Sequence, residues 1–130
     1  MPIKRLNMSN IRITRIVFVC GFVLMAIGFV GIFRNPAFGI FAVNKIHNFI
    51  HLAVGLLAIA FVVHGVSSAK KFSKIFGAVF GALAIMGFLI PDPMLLGVIE
   101  SSLANDFLHA FLGMVFLIIG FTPHHVMSKI

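Results

Sequence analysis

Residues 44–66 read NKIHNFIHLAVGLLAIAFVVHGV. From Ile46 to Val66 the stretch is apolar apart from Asn48 and three histidines, His47, His51 and His64. That length matches the roughly 20 residues an α-helix needs to cross the hydrocarbon of a bilayer. Lipid satisfies no backbone N–H or C=O, so a spanning segment without barrel-like alternation has to be helical. Three other stretches read the same way. Ile16 to Phe33 is uninterrupted, Phe72 to Ile90 carries only Ser73 and Lys74 near its start, and Leu103 to Phe121 is apolar beyond Asn105 and Asp106. Breakers stand between and after them: Asn35-Pro36, Ser67-Ser68, Pro91-Asp92-Pro93 and Pro123. The expectation is a single membrane domain over 1–130, with helix 1 at about 11–33, helix 2 at about 45–66, helix 3 at about 70–90 and helix 4 at about 102–122.

Composition agrees. The 130 residues are 61% hydrophobic and only 10% charged, against roughly 45–50% and about 25% in an ordinary soluble domain. Too few polar groups exist to cover a soluble surface. One cysteine, 16 phenylalanines and the lack of a polar low-complexity tract exclude a disulfide scaffold, collagen and disorder. The first span follows Lys4, Arg5, Arg12 and Arg15, as a signal peptide would. Its apolar run of 18 residues exceeds the usual ~7–15 and no small-x-small cleavage site follows, so it reads as a retained helix.

Charge sets the expected orientation. Eight Lys/Arg (Lys4, Arg5, Arg12, Arg15, Lys70, Lys71, Lys74, Lys129) lie on the tails and the middle connection, against Arg34 and Lys45 on the other two. Both termini and the middle connection are therefore expected in the cytoplasm, with Asp92, Glu100 and Asp106 on or near the opposite side. The net charge of +7 then reads as attraction to anionic lipids at the cytoplasmic face, with no nucleic-acid footprint.

A shift of 58 residues superposes the two halves. Asn48-Phe49-Ile50-His51 answers to Asp106-Phe107-Leu108-His109, Gly55 to Gly113, Gly39-Ile40-Phe41 to Gly97-Val98-Ile99, and Asn35-Pro36 to Asp92-Pro93 within a residue. The expected fold is an all-α integral membrane bundle, four up-down transmembrane helices built from two tandem helical-hairpin repeats in parallel duplication.

Asn44-x-x-His47-x-x-x-His51-x-x-x-Gly55, Phe76-Gly77, Gly87-Phe88-Leu89 and Asn105-Asp106-x-x-His109-x-x-x-Gly113 together resemble the bacterial membrane family catalogued as domain of unknown function 4383. The resemblance covers about residues 35–121. It implies four membrane helices and a small stand-alone chain, and no reaction.

Ionisable groups inside spans usually face the bundle interior, which makes them functional candidates. His47, His51 and Gly55 stand at i, i+4, i+8 on one face, and Asp106, His109 and Gly113 at i, i+3, i+7 on another. Small residues mark close helix contacts, so these faces should point inward. His51 and His109 each lie roughly 9 Å into the membrane, on helices expected to be diagonal at about 11–14 Å. Three readings follow. The histidines are hydrogen-bond glue with Asn48 and Asp106, while Asn44 and Ser102 cap their helices and Asp106 favours the positive helix end. Or His47, His51, Asp106 and His109 ligate Zn, Cu or Fe, with Asp106 as a ligand or as the partner that orients His109. Or His51 and His109 hold a haem or a chlorophyll-type pigment, the following glycines making room for the ring.

Other chemistry fails on spacing. Ser102 and His109 are about 10.5 Å apart along one helix, too far for a nucleophile and its base. No phosphate loop, dinucleotide fingerprint or zinc-protease helix is present. Cys20 is on the wrong helix for ligation. Gly77-x-x-x-Gly81 fits a close helix contact within the bundle, and His64 with His124-His125 reads as interfacial. The chain lacks Trp and Tyr, so anchoring at the interface falls to Lys and Arg. A bundle of this size fits a non-enzymatic accessory, assembly or interaction component of a larger membrane protein complex. The alternative is a metal-binding or transport protein whose outer loop, carrying Asp92 and Glu100, feeds the histidine site.

Overall fold

The computed structural model describes residues 8–124. Helix α1 spans Met8–Phe33, α2 Lys45–Val63, α3 Val66–Leu89 and α4 Leu103–Phe121, and each is long and apolar enough to cross a membrane. Their outward faces carry Phe18, Phe22, Phe29, Ile85, Phe111 and Ile118 exposed. Such a continuous apolar exterior suits lipid and would aggregate in water. The chain is an all-α, multi-pass membrane bundle.

The connection between α2 and α3 differs from the expectation. Ser67 and Ser68 lie inside the first turn of α3, and the break falls earlier, at His64-Gly65. Serine is tolerated near a helix start, whereas Gly65 adopts φ +107°, a backbone conformation that stops a helix outright. The other ends follow local chemistry. Asn44 Oδ1 accepts the His47 N–H at 2.9 Å and Ser102 Oγ accepts the Asn105 N–H at 3.4 Å, so both second helices of the hairpins begin on a side-chain cap.

The duplication is visible in three dimensions. α1 packs chiefly on α2, and α3 on α4. In the first pair a Cβ on Gly55 would meet the Gly21 carbonyl oxygen at 2.6 Å; in the second, a Cβ on Gly113 would meet the Gly81 nitrogen at 2.7 Å. Backbones that close exclude any side chain. The Gly77-x-x-x-Gly81 segment is therefore a contact inside the bundle. Each connection between paired helices is a tight hairpin: Ala37 bridges Phe41, and Leu95 pairs with Ile99. Two successive left-handed residues turn each one, Phe38-Gly39 (φ 52° and 74°) and Leu96-Gly97 (φ 57° and 70°).

Two apolar clusters fill the interior. The larger joins Ile13, Val17, Leu24, Phe72, Phe80, Leu112 and Phe116, and the smaller joins Ile27, Ala37 and Val43 beneath the first hairpin turn. Among the described residues, the buried polar ones are His47, Asn48, His51, Asn105, Asp106 and His109 near the starts of α2 and α4, with Ser73 apart from them on α3. Ser73 is satisfied locally, donating to the Ala69 carbonyl at 2.9 Å. The other six form a polar group at the hairpin end of the bundle.

Candidate metal centre

His47 and His51 are one turn apart on α2, which puts both rings on the same face. Their centroids are 4.3 Å apart, and His109 of α4 approaches them at 5.9 and 6.3 Å. All three are at least 98% buried. One ligand nitrogen from each ring lies within 4.8 Å of the others. Nitrogens sharing one Zn or Cu ion at about 2.0–2.1 Å stand about 3.5 Å from each other. The set is thus wider than a bound ion requires by up to about 1 Å.

The hydrogen bonds separate the three rings. His47 Nδ1 donates to the Glu100 carbonyl at 2.8 Å, and a carbonyl can only accept. In the neutral ring that leaves the lone pair on Nε2. His51 has no partner at either nitrogen, and His109 Nδ1 has none. A buried polar atom without a partner costs about 1–3 kcal/mol. Two imidazoles with such nitrogens stand beside a third. Phe80 lies against His109 at 5.5 Å and closes one side of the cluster with an aromatic ring.

Asp106 stands elsewhere. Its carboxylate packs against the Cα of Gly87 on α3, where any Cβ would collide with it, and Oδ1 accepts the Ser101 hydroxyl at 3.3 Å. Three residues of helix rotate a side chain by about 300°, so Asp106 and His109 diverge by about 60°. Gly87 supplies the hole that the carboxylate enters. Of the four ligand candidates named from sequence, His47, His51 and His109 gather and Asp106 does not. Asn48, its counterpart on α2, enters the matching hole at Gly31 and leaves Oδ1 buried without a partner.

The family profile described as Domain of unknown function (DUF4383) matches residues 14–122. The chain belongs to this family. The match takes in most of α1 as well as the region that carried the resemblance. No curated protein and no solved structure matches the chain. The family description names no reaction, so the chemistry of this DUF4383 chain has to be argued from its own side chains.

Four hydrogen bonds across the repeats hold the centre, and residue spacing on single helices did not reveal them. His47 reaches Glu100, Asn105 Nδ2 donates to the Ala42 carbonyl at 2.7 Å, Asn44 Nδ2 donates to the Val98 carbonyl at 2.8 Å, and Asn35 Nδ2 donates to Glu100 Oε2 at 2.8 Å. The 58-residue shift carries His47 onto Asn105 and Ala42 onto Glu100. The first two bonds are thus one interaction made twice, and that register was the available signal. The loop carboxylates have partners, Glu100 with Asn35 across the repeats and Asp92 with the Met94 N–H at 2.9 Å in its own loop.

The geometry removes the basis for a tetrapyrrole. His47 contacts both His51 and His109, so a third imidazole occupies the space a macrocycle would need. The glycines expected to make room are filled, Gly55 by Gly21 and Met25, Gly113 by Gly81. At the opposite end His64 Nδ1 donates to the Ala60 carbonyl at 2.7 Å, and Lys70 Nζ donates to His124 Nδ1 at 2.8 Å. His125 lies outside the described residues. Cys20, on α1, is buried in the larger apolar cluster.

Proposed function

We propose that this protein is a non-enzymatic component of the bacterial inner membrane that holds one transition-metal ion among His47, His51 and His109. The carrying observation is His51: a 99% buried imidazole with no partner at either nitrogen, beside two others whose ligand atoms lie within 4.8 Å. Three imidazoles form a donor set suited to Zn, Cu or Fe. The eight-to-two distribution of Lys/Arg supports both termini in the cytoplasm, with the histidines in the outer half of the bundle.

The experiment is metal analysis of the chain purified in mild detergent, as isolated and after titration with Zn(II), Cu(I) and Fe(II), beside His51→Leu. Wild type is expected to take up one equivalent of one of these ions, and His51→Leu none. The leucine removes two unpartnered nitrogens from an apolar setting, so the metal-free variant should be as stable as wild type or more so by about 1 kcal/mol. No stoichiometric uptake by wild type would overturn the proposal.

One observation favours a second reading. Because Asn105 makes the same crossing bond as His47, that bond has a purely structural use, suited to an accessory or assembly subunit of a larger complex. Under that reading wild type takes up no ion, and His51→Leu changes nothing but packing.

A further inference from the structure

The identity of the ion follows from what surrounds the three imidazoles, and the inference rests on the three-histidine reading above. We infer that the centre is built for a monovalent soft ion, Cu(I), and that it discriminates against Zn(II) and other dications.

The argument is one of charge. The ligands are three rings, each at least 98% buried, and among the described residues no carboxylate or thiol joins the set. The carboxylates nearest in the chain face other partners. Asp106 is seated on Gly87 and takes the Ser101 hydroxyl, while Glu100 gives His47 its carbonyl and hydrogen-bonds its carboxylate to Asn35, from where that carboxylate acts on His47 only through space. An ion entering here brings its full charge into a low-dielectric interior. The cost of burying a charge grows with its square, so a dication pays about four times what a monocation does. Buried dications ordinarily recover that cost from carboxylates, thiolates or a bound hydroxide. Here Cys20 is not among the clustered ligand atoms, and Phe80 lies against the His109 side of the set.

Ligand number bears on the same choice. On three protein ligands Zn(II) keeps a fourth position for water or hydroxide, and this cluster offers three ring nitrogens. Three nitrogens complete a trigonal shell for Cu(I), a d10 ion without a geometric demand for a fourth. All-nitrogen donors also exclude the hard cations, which are held by oxygen.

The test is anaerobic competition in detergent. Wild-type protein is titrated with Cu(I) against a chromophoric Cu(I) chelator, and separately with Zn(II) against a chromophoric Zn(II) chelator. Ag(I) serves as a redox-inert third probe. One Cu(I) per chain is expected, displaced one for one by Ag(I), with Zn(II) held at least about 100-fold more weakly. His51→Leu should lose the Cu(I). If that variant does not fold, His47→Asn, which keeps a donor toward the Glu100 carbonyl, replaces it. Zn(II) binding as tightly as Cu(I), and lost in the variant, would overturn the monovalent assignment while leaving the three-histidine centre standing. Binding of neither ion would overturn both.

Discussion

In the first hairpin His47 donates a ring N–H to the carbonyl at position 100; in the second, Asn105 donates an amide N–H to the carbonyl at position 42. One residue further along each helix, Gly31 admits Asn48 and Gly87 admits Asp106. His51 and His109, Gly55 and Gly113, and the capping Asn44 and Ser102 are matched as well. The two halves share a scaffold: a capped helix, a polar residue in a glycine hole, a histidine, and a glycine crossing. They part at one chemically decisive point. Histidine can make the crossing bond and keep a second nitrogen, whereas asparagine spends its only donor nitrogen on the bond. A symmetric pair of rings, His51 and His109, becomes a three-nitrogen centre because one half uses histidine for the crossing.

The sharpest way to break the comparison is to make the first hairpin like the second. His47→Asn preserves a donor toward Glu100 and deletes the spare nitrogen. Losing an outer hydrogen-bond partner typically costs a metal site about 10–100-fold in affinity, and losing a ligand should exceed that. The expected outcome is a drop of more than about 100-fold, with the metal-free protein within about 1 kcal/mol of wild type by denaturation in detergent. An unchanged affinity would show that His47 is only a crossing bond and that the halves are functionally alike.

A second test asks whether the glycine crossings are equivalent. Gly55→Ala and Gly113→Ala each drive a methyl into a facing backbone, at 2.6 Å from Gly21 oxygen and 2.7 Å from Gly81 nitrogen. Helices must move apart, and overpacking of this kind costs about 1–3 kcal/mol. Gly81→Ala meets nothing within 4 Å and should be neutral, or stabilising by about 0.5–1 kcal/mol. Comparable losses in the two crossing variants, measured as unfolding in mixed micelles, support a duplicated packing unit. A loss confined to one would mean that a single hairpin carries the bundle.

Much of this was legible in the sequence because membrane constraints act on single helices. Span length, the caps at Asn44 and Ser102, the inward face of His47, His51 and Gly55, and the 58-residue register each follow from one segment or from a comparison of two. What was hidden depends mainly on contacts between helices. The anchor for His47 is a backbone carbonyl, a group every residue possesses, so nothing in the identity of Glu100 advertises it. Asp106 shares a helix with His109, but its direction is decided by the missing side chain of Gly87 on a different helix. The break between α2 and α3 was placed at Ser67-Ser68 because serine often marks loops, while a single glycine at positive φ did the work.

The smallest expected effect concerns Asp106, and it tests whether the halves differ in their metal chemistry through the carboxylate or through His47 alone. Asp106→Asn gives α4 the residue that α2 already has at Asn48. The carboxylate sits in the first turn of α4, where a negative charge is worth about 0.3–1 kcal/mol against the helix dipole, and it accepts the Ser101 hydroxyl. The neutral amide retains an oxygen for that hydroxyl. Stability should therefore fall by less than about 1 kcal/mol, and metal affinity should stay within about 2-fold, because the carboxylate does not face the imidazoles. Affinity is the informative readout, since a structural residue and a ligand differ there by orders of magnitude. A loss as large as that of His47→Asn would mean that the loaded centre draws Asp106 away from Gly87. The ligand set would then be the four residues, and the charge argument for a monovalent ion would lose its premise.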